Sequence, residues 1–207
     1  MCFHYRQTKN GLQLEKQFQL PLKKGVNIQP ITYVNGFAHP EVPIITNQES
    51  LITTGQWGLL PDFATNISFA KNTLNARAET ISEKPSFAPY IHQRCLVLSD
   101  GFYEWQWHNV SGIKKQKYFI TTAQQSMVMA GIWSCWKDQI TFSIVTTQAN
   151  DLMSEIHNTK KRMPVVLKPT DFNDWLQGAP IHNFQFPYEV PLIAEKIVEE
   201  NQNFSLF

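Results

Sequence analysis

The chain has 207 residues, and its 18 Lys and Arg nearly cancel 17 Asp and Glu to leave a net charge of +1, which excludes whole-molecule attraction to nucleic acid and confines any such site to a local patch. With 43% hydrophobic and 17% charged residues it reads as one globular domain over residues 1–207. No run approaches the ~18 apolar residues of a membrane span, and MCFHYRQTKN lacks the ~7–15-residue apolar core of a secretion signal, so no membrane partner and a cytoplasmic location are expected.

In chain order, the proline-bounded segment 21–43 reads as loop and edge structure. Strands are predicted over 51–59, 94–99, 102–107, 118–122, 127–133 and 140–147, where β-branched and aromatic residues concentrate. Helices are predicted over 75–81, 86–92, 150–157 and 170–176, the last with Thr170 as N-cap and Gly178 just past its end. The mixture is α+β with a β-rich core. No 20–50-residue repeat or low-complexity block is visible.

The three cysteines, Cys2, Cys95 and Cys135, have neither C-x-x-C nor Cys/His ligand spacing, so neither a disulfide framework nor a metal or other cofactor is expected. Cys95 and Cys135 lie in apolar, strand-like runs, where a thiol acts as a small core hydrophobe. Cys2 lies outside such a run. Removal of Met1 leaves an α-amine and a thiol two carbons apart, with reference pKa values of about 8 and 8.5. Such an aminothiol attacks an aldehyde through nitrogen to give an imine, which the sulfur then closes to a thiazolidine. The bland alternative is an incidental cysteine in a frayed terminus.

Strand alternation in DGFYEW puts Glu104 on one face with Phe102 and Gln106, opposite Tyr103, Trp105 and Trp107. Partial desolvation among those side chains raises a carboxyl pKa and suits it to proton transfer, unless Glu104 sits on a solvated face. His157 ends the run 150–157 and is followed by Lys160, Lys161 and Arg162, a set that reads either as a proton-exchanging imidazole beside phosphate ligands or as a helix C-terminus with its favoured cations. Asn75 and Arg77 in NARAET offer an amide for a substrate oxygen and a guanidinium for a phosphate, or else an N-cap and a solvated helix residue. Trp57 and Phe63 in WGLLPDF offer stacking faces to unpaired bases, or core packing.

Taken in order, Cys2, HPEVPII from His39, WGLLPDF, NARAET, RCLVLSDGFYEW from Arg94, AGIW from Ala130, TTQAN from Thr146 and IHNTKKRMPVVL from Ile156 resemble the SRAP family of abasic-site processing proteins, once called SOS response-associated peptidases. The resemblance runs from residue 2 to about Trp175. It implies an α+β fold with a β-barrel-like antiparallel core and flanking helices. It further implies a basic groove for single-stranded DNA carrying abasic sites, including single-strand to double-strand junctions, with the protein acting as a monomer and joining the nucleoid when bound.

By matching position, the Cys2 aminothiol would link to the ring-opened abasic sugar and Asn75 would hold that sugar. Glu104 would assist the proton transfers, and His157 would act as acid or base near the 3′ phosphate, with strand cleavage by β-elimination as a side reaction. Arg77 and Arg162 would hold phosphates, with Trp57, Phe63, His4 and Pro40 also at the DNA surface. The chain departs from the family's usual Met-Cys-Gly-Arg start with Phe3-His4, which leaves His4 or Arg6 for a phosphate contact, and it ends WGLLPDF in Phe63 where tryptophan is common. Two other readings compete: an N-terminal-nucleophile peptidase acting through Cys2, and a binding module that grips single strands without chemistry.

Overall fold

The structure is a computed structural model that describes residues 2–109, 111 and 113–198. In chain order its elements are β1 (His4–Gln7), α1 (Gly11–Phe18), β2 (Ile31–Asn35), β3 (Glu41–Thr46), β4 (Ile52–Trp57) and β5 (Asn75–Arg77). There follow β6 (Arg94–Ser99), β7 (Gly101–Trp107), β8 (Lys115–Thr121), β9 (Met127–Trp136), β10 (Gln139–Gln148), α2 (Asp151–Ile156), β11 (Arg162–Pro164), α3 (Phe172–Leu176) and β12 (Ile193–Lys196). Short 3-10 turns join several of them.

The strands form an α+β fold around two sheets. One has five strands in the order β12-β8-β7-β1-β2, antiparallel throughout. In the other, β4, β3, β6, β9 and β10 pair in succession and β10 returns to β4, so these five strands close into a barrel, with β5 and β11 added along β10. Closure leaves the barrel without an open edge.

Alternation along the barrel strands feeds two cores. Val42, Ile44, Cys95, Val97, Met129 and Phe142 pack with Cys2, Tyr5, Phe102 and Ile120 of the five-stranded sheet side. Their neighbours Leu96, Leu98, Val128 and Val145 turn to the other face and pack with Leu14 of α1, Tyr90, and Trp175 of α3. Each fully buried large apolar side chain contributes about 1.5–3 kcal/mol, so these two layers carry the fold.

The strand that presents Glu104 is pinned where it begins. Asp100, 2% exposed, accepts hydrogen bonds from the Thr8 N–H (2.7 Å) and hydroxyl (2.6 Å), pairs with Lys9, and tethers the end of β1 to the start of β7. Gly101 next to it has no room for a side chain, because a Cβ there would collide with the Ile120 carbonyl oxygen of β8.

Four sequence expectations change. Residues 75–81 are not a helix: 75–77 form β5, paired in parallel with β10 at Ile144, Val145 and Thr146, because tertiary pairing outweighs the local cap signal of Asn75. Of 86–92 only the 3-10 turn Ala88–Tyr90 forms. Thr170 is not the cap of α3; it lies within a 3-10 turn, while Gly178 does follow the helix with φ +85°. Cys135 is exposed rather than a core thiol, whereas Cys95 is fully buried. Helix α1 is absent from the predicted helices, although its reciprocal Asn10–Gln13 capping box and its amphipathic spacing, with Leu14 buried, are local signals.

Candidate active site

Strand β1 lies between β2 and β7, with His4 opposite Tyr103 and Tyr5 opposite Phe102. That register places Cys2, just ahead of β1, beside the inward face of β7. Cys2 is fully buried, and its thiol donates to the His4 carbonyl at 3.7 Å. Burial, reinforced by the Glu104 carboxylate, pushes the thiol pKa far up, so the sulfur is held as S–H.

Asn75 reaches Cys2 from the barrel. Its side-chain N–H donates to the Cys2 carbonyl at 2.8 Å, while its Oδ1 is buried without a hydrogen-bond partner among the described residues. The parallel pairing of β5 with β10 is what delivers this amide, so the element misread from sequence is the one that completes the site.

Glu104 is 7% exposed on the inward face of β7, as alternation predicts, and its Oε1 accepts the Trp105 N–H at 3.1 Å. His157 is the C-cap of α2, where its backbone N–H donates to the Met153 carbonyl at 2.8 Å. The C-cap reading of the sequence therefore holds, and the imidazole of the same residue lies beside Glu104. Its Nδ1 lies 3.8 Å from Glu104 Oε2, 2.8 Å from the Arg162 carbonyl and 3.2 Å from the Arg162 N–H. The carbonyl needs a proton on Nδ1 and the N–H needs a bare one. The shorter contact and the nearby carboxylate both favour the proton on Nδ1, which leaves Nε2 as the basic nitrogen of the neutral ring. Burial lowers the His157 pKa against the opposing pull of Glu104, so the neutral ring predominates at pH 7.

Cys2, Asn75, Glu104 and His157 thus converge. The DNA-surface residues expected from sequence do not all join them. Trp57 is 0% exposed and its indole N–H donates to the Leu74 carbonyl at 2.8 Å, so it is core and offers no face to a base. Arg162 is 9% exposed, with its guanidinium engaged by Glu79 through two 2.8 Å bonds and by the Thr146 carbonyl at 2.7 Å, which makes it an internal strut in place of a phosphate ligand. Arg77 is exposed on β5, on the same side of the strand as Asn75. Phe63 is 56% exposed and meets Phe69 edge-on at 5.5 Å. Pro40 is half-buried, its carbonyl accepting the Trp57 N–H at 3.0 Å.

His4 stands on the outer face of the five-stranded sheet, stacked on Tyr33 at 4.9 Å. Sequence reading did not assemble what surrounds it. The Lys117 ammonium lies 4.7 Å from the Tyr33 ring, 4.7 Å from Tyr103 and 5.6 Å from Trp105; Lys115 covers Trp107 at 4.6 Å, and Arg6 covers Phe119 at 3.9 Å. The alternating aromatics of YEWQW signal half of this face; the cations come from β8, whose register sets Lys117 opposite Trp105 and Lys115 opposite Trp107.

A buried thiol near a carboxylate–imidazole pair, between a closed five-stranded barrel and a second antiparallel sheet, marks a class of α+β protein whose candidate active site lies where the two sheets meet. Comparison with known proteins gives that class its family. The chain belongs to the SRAP (SOS response associated peptidase) family, whose model matches residues 1–193. It is 36% identical over 128 residues to abasic site processing protein YoqW of Bacillus subtilis (strain 168), covering 58% of this chain and 55% of that one. It is 31% identical over 166 residues to abasic site processing protein HMCES of Gallus gallus, covering 65% and 48%. The chain spans about half the length of these curated relatives. A crystal structure of a protein from Bacteroides thetaiotaomicron superposes with a TM-score of 0.83 at 31% identity over 95% of this chain and 92% of that one. Among the described residues no helix is long and apolar enough to cross a membrane.

Proposed function

We propose that this protein processes abasic sites in DNA by capturing the ring-opened sugar aldehyde covalently through Cys2. The observation that carries the proposal is the grouping around Cys2: Asn75 is bonded to its carbonyl, and the Glu104 carboxylate, paired with His157, acts electrostatically on its thiol.

The chemistry follows from these groups. Removal of Met1 turns the Cys2 nitrogen from an amide into an amine with a reference pKa of about 8. Because the thiol is held protonated, nitrogen attacks first: an N–C bond forms to the aldehyde carbon, and the carbonyl oxygen takes up a proton. Loss of water gives the imine. The sulfur then bonds to the same carbon and the thiol proton passes to nitrogen, so aminothiol and aldehyde become thiazolidine and water with no oxidant required. Glu104 and the Nε2 of His157 are the groups able to relay these protons. Asn75 fixes the Cys2 main chain, and its Oδ1 suits a sugar hydroxyl. β-Elimination from the imine, with loss of the 3′ phosphate, is the competing lyase outcome.

Single-stranded DNA is the favoured partner. Unpaired bases expose π-faces, and the outer sheet face next to His4 offers Tyr33, Tyr103, Trp105 and Trp107 interleaved with Lys115 and Lys117. This local patch answers the near-neutral net charge. Arg77, exposed on the Asn75 side of β5, is the guanidinium that would meet a phosphate there.

The test is a single-stranded oligonucleotide carrying one abasic site. Wild type gives an adduct that survives denaturing electrophoresis and whose intact mass equals protein without Met1 plus DNA minus one water. Cys2→Ala gives no thiazolidine; an equally stable adduct from that variant refutes the assignment.

A further inference from the structure

Between the end of β7 and the turn after α2 lies a cleft of about 470 Å³, walled by Trp107, His108, Asn109, Asn158 and Thr159, which the proposed reaction leaves unused. Strand register sets its place relative to the site. β1 pairs with β7 through Tyr5 opposite Phe102 and His4 opposite Tyr103. Continued by two residues, that register brings Cys2 level with Trp105, so Trp107 stands one side-chain repeat further along the same face, about 7 Å away. Beyond the start of β1 the edge of β7 is met by Asn158, whose side chain accepts the Trp107 N–H at 3.1 Å and donates to the Trp107 carbonyl at 2.8 Å. Asn158 directly follows His157, and both belong to one turn, closed by the Lys161 N–H on the His157 carbonyl at 2.9 Å. A wall of the cleft and the imidazole of the site are therefore held together.

Aromatic and cationic groups meet at this cleft. The Lys115 ammonium lies 4.6 Å from the centre of the Trp107 ring, and Lys160 and Lys161, both exposed, continue the turn that carries Thr159. The two Asn158 bonds join segments 51 residues apart, so the cleft is formed before anything enters it. We propose that it takes a base flanking the abasic nucleotide, stacked against the Trp107 indole, with the lysines on the adjoining phosphates. The proposal rests on the covalent-capture reading and deepens it. An abasic nucleotide has no base of its own to grip, so a neighbouring base seated here sets the sugar over Cys2, and through Asn158 its position is tied to that of His157. No bond forms or breaks at the cleft.

The test is a double-mutant cycle on single-stranded oligonucleotides that carry one abasic site. Each neighbouring base in turn, up to two nucleotides on either side, is removed by placing a tetrahydrofuran residue, which has no aldehyde, and adduct formation is followed at subsaturating DNA. In wild type, one such deletion on one side slows capture about 5- to 100-fold; Trp107→Ala is slowed to the same extent with every base present, and that deletion slows it no further. Indifference of wild type to every deletion, or equal responses in wild type and Trp107→Ala, overturns the inference while leaving covalent capture standing. Thr159→Leu, at an exposed position, fills the cleft without touching the Asn158 bonds and serves if Trp107→Ala does not fold. It too loses the response to that deletion, and a retained wild-type response overturns the inference. Absence of any adduct in wild type overturns both readings.

Discussion

Glu104 Oε2 and His157 Nδ1 meet at 3.8 Å although one belongs to β7 and the other to the end of α2. The approach is fixed by side-chain to backbone bonds on either side: the Gln106 side-chain amide donates to the Glu155 carbonyl at 3.0 Å, and the Asn158 side-chain amide both accepts the Trp107 N–H at 3.1 Å and donates to its carbonyl at 2.8 Å. The pair is therefore held by the strand and helix end around it and does not depend on its own attraction.

If the pair relays protons, Glu104→Gln and His157→Gln each slow thiazolidine formation by about 10²–10⁴-fold, the usual worth of a positioned acid or base. Single-turnover gels on the abasic oligonucleotide measure this. Rates equal to wild type in both variants remove the pair from the proton path.

Acid should destabilise the fold through two histidines. Burial lowers the pKa of His157, and burial with the Lys117 charge lowers that of His4. Between each lowered value and the unfolded value of 6.5 the unfolded chain binds more protons, so stability falls as pH drops below 6.5. Melting temperature should decline from pH 7 toward pH 5, by about 2–4 °C for each kcal/mol lost in a chain of this size. The decline is shallower in His157→Gln and in His4→Gln; an unchanged slope in both would trace the acid sensitivity to other groups.

Arg162→Ala should lower the melting temperature without changing the DNA affinity of the folded protein. Glu79 keeps a third of its side chain in solvent, so the loss is about 1–3 kcal/mol, below that of a fully buried pair. Arg162→Lys recovers part of it, since an ammonium cannot reproduce the two-pronged contact. The pair also has an acid signature. Burial pushes the Glu79 carboxyl up, but Arg162 and backbone donors outweigh it, so its pKa lies below 4.5. Its contribution is present above pH 4.5 and lost as pH falls through the lowered value, and Arg162→Ala lacks that loss.

On the outer sheet face, Trp105→Ala should weaken binding of intact and abasic single strands alike by about 5- to 100-fold, the range for one stacked base. Lys117→Gln should reduce the slope of log affinity against log salt by about 0.7. Fluorescence anisotropy across a salt series reads both; unchanged affinity and slope place the strand elsewhere.

How much of the fold and the site is legible in the sequence depends on whether the signal is local. The strands carrying the site, β6, β7, β9 and β10, and the inward turn of Glu104 follow from β-branched runs and period-two alternation, which are properties of a few neighbouring residues. The helical end at His157 follows from Asn150 and the run after it. Asn75 is found beside Cys2 but in a strand where the sequence signals a helix, because an asparagine ahead of Ala and Glu reads locally as a cap while its actual partner, β10, lies far along the chain.

The sequence by itself determined the family, the α+β class and the identity of the four converging residues, since motif order and alternation are written in one dimension. Only the tertiary structure decided that Arg162 is bound to Glu79, that Trp57 is sealed in the core, and that Lys117 sits among three rings. Those outcomes depend on which side chains from distant segments compete for one guanidinium, one cavity or one sheet face, and that competition exists only once the strands have paired.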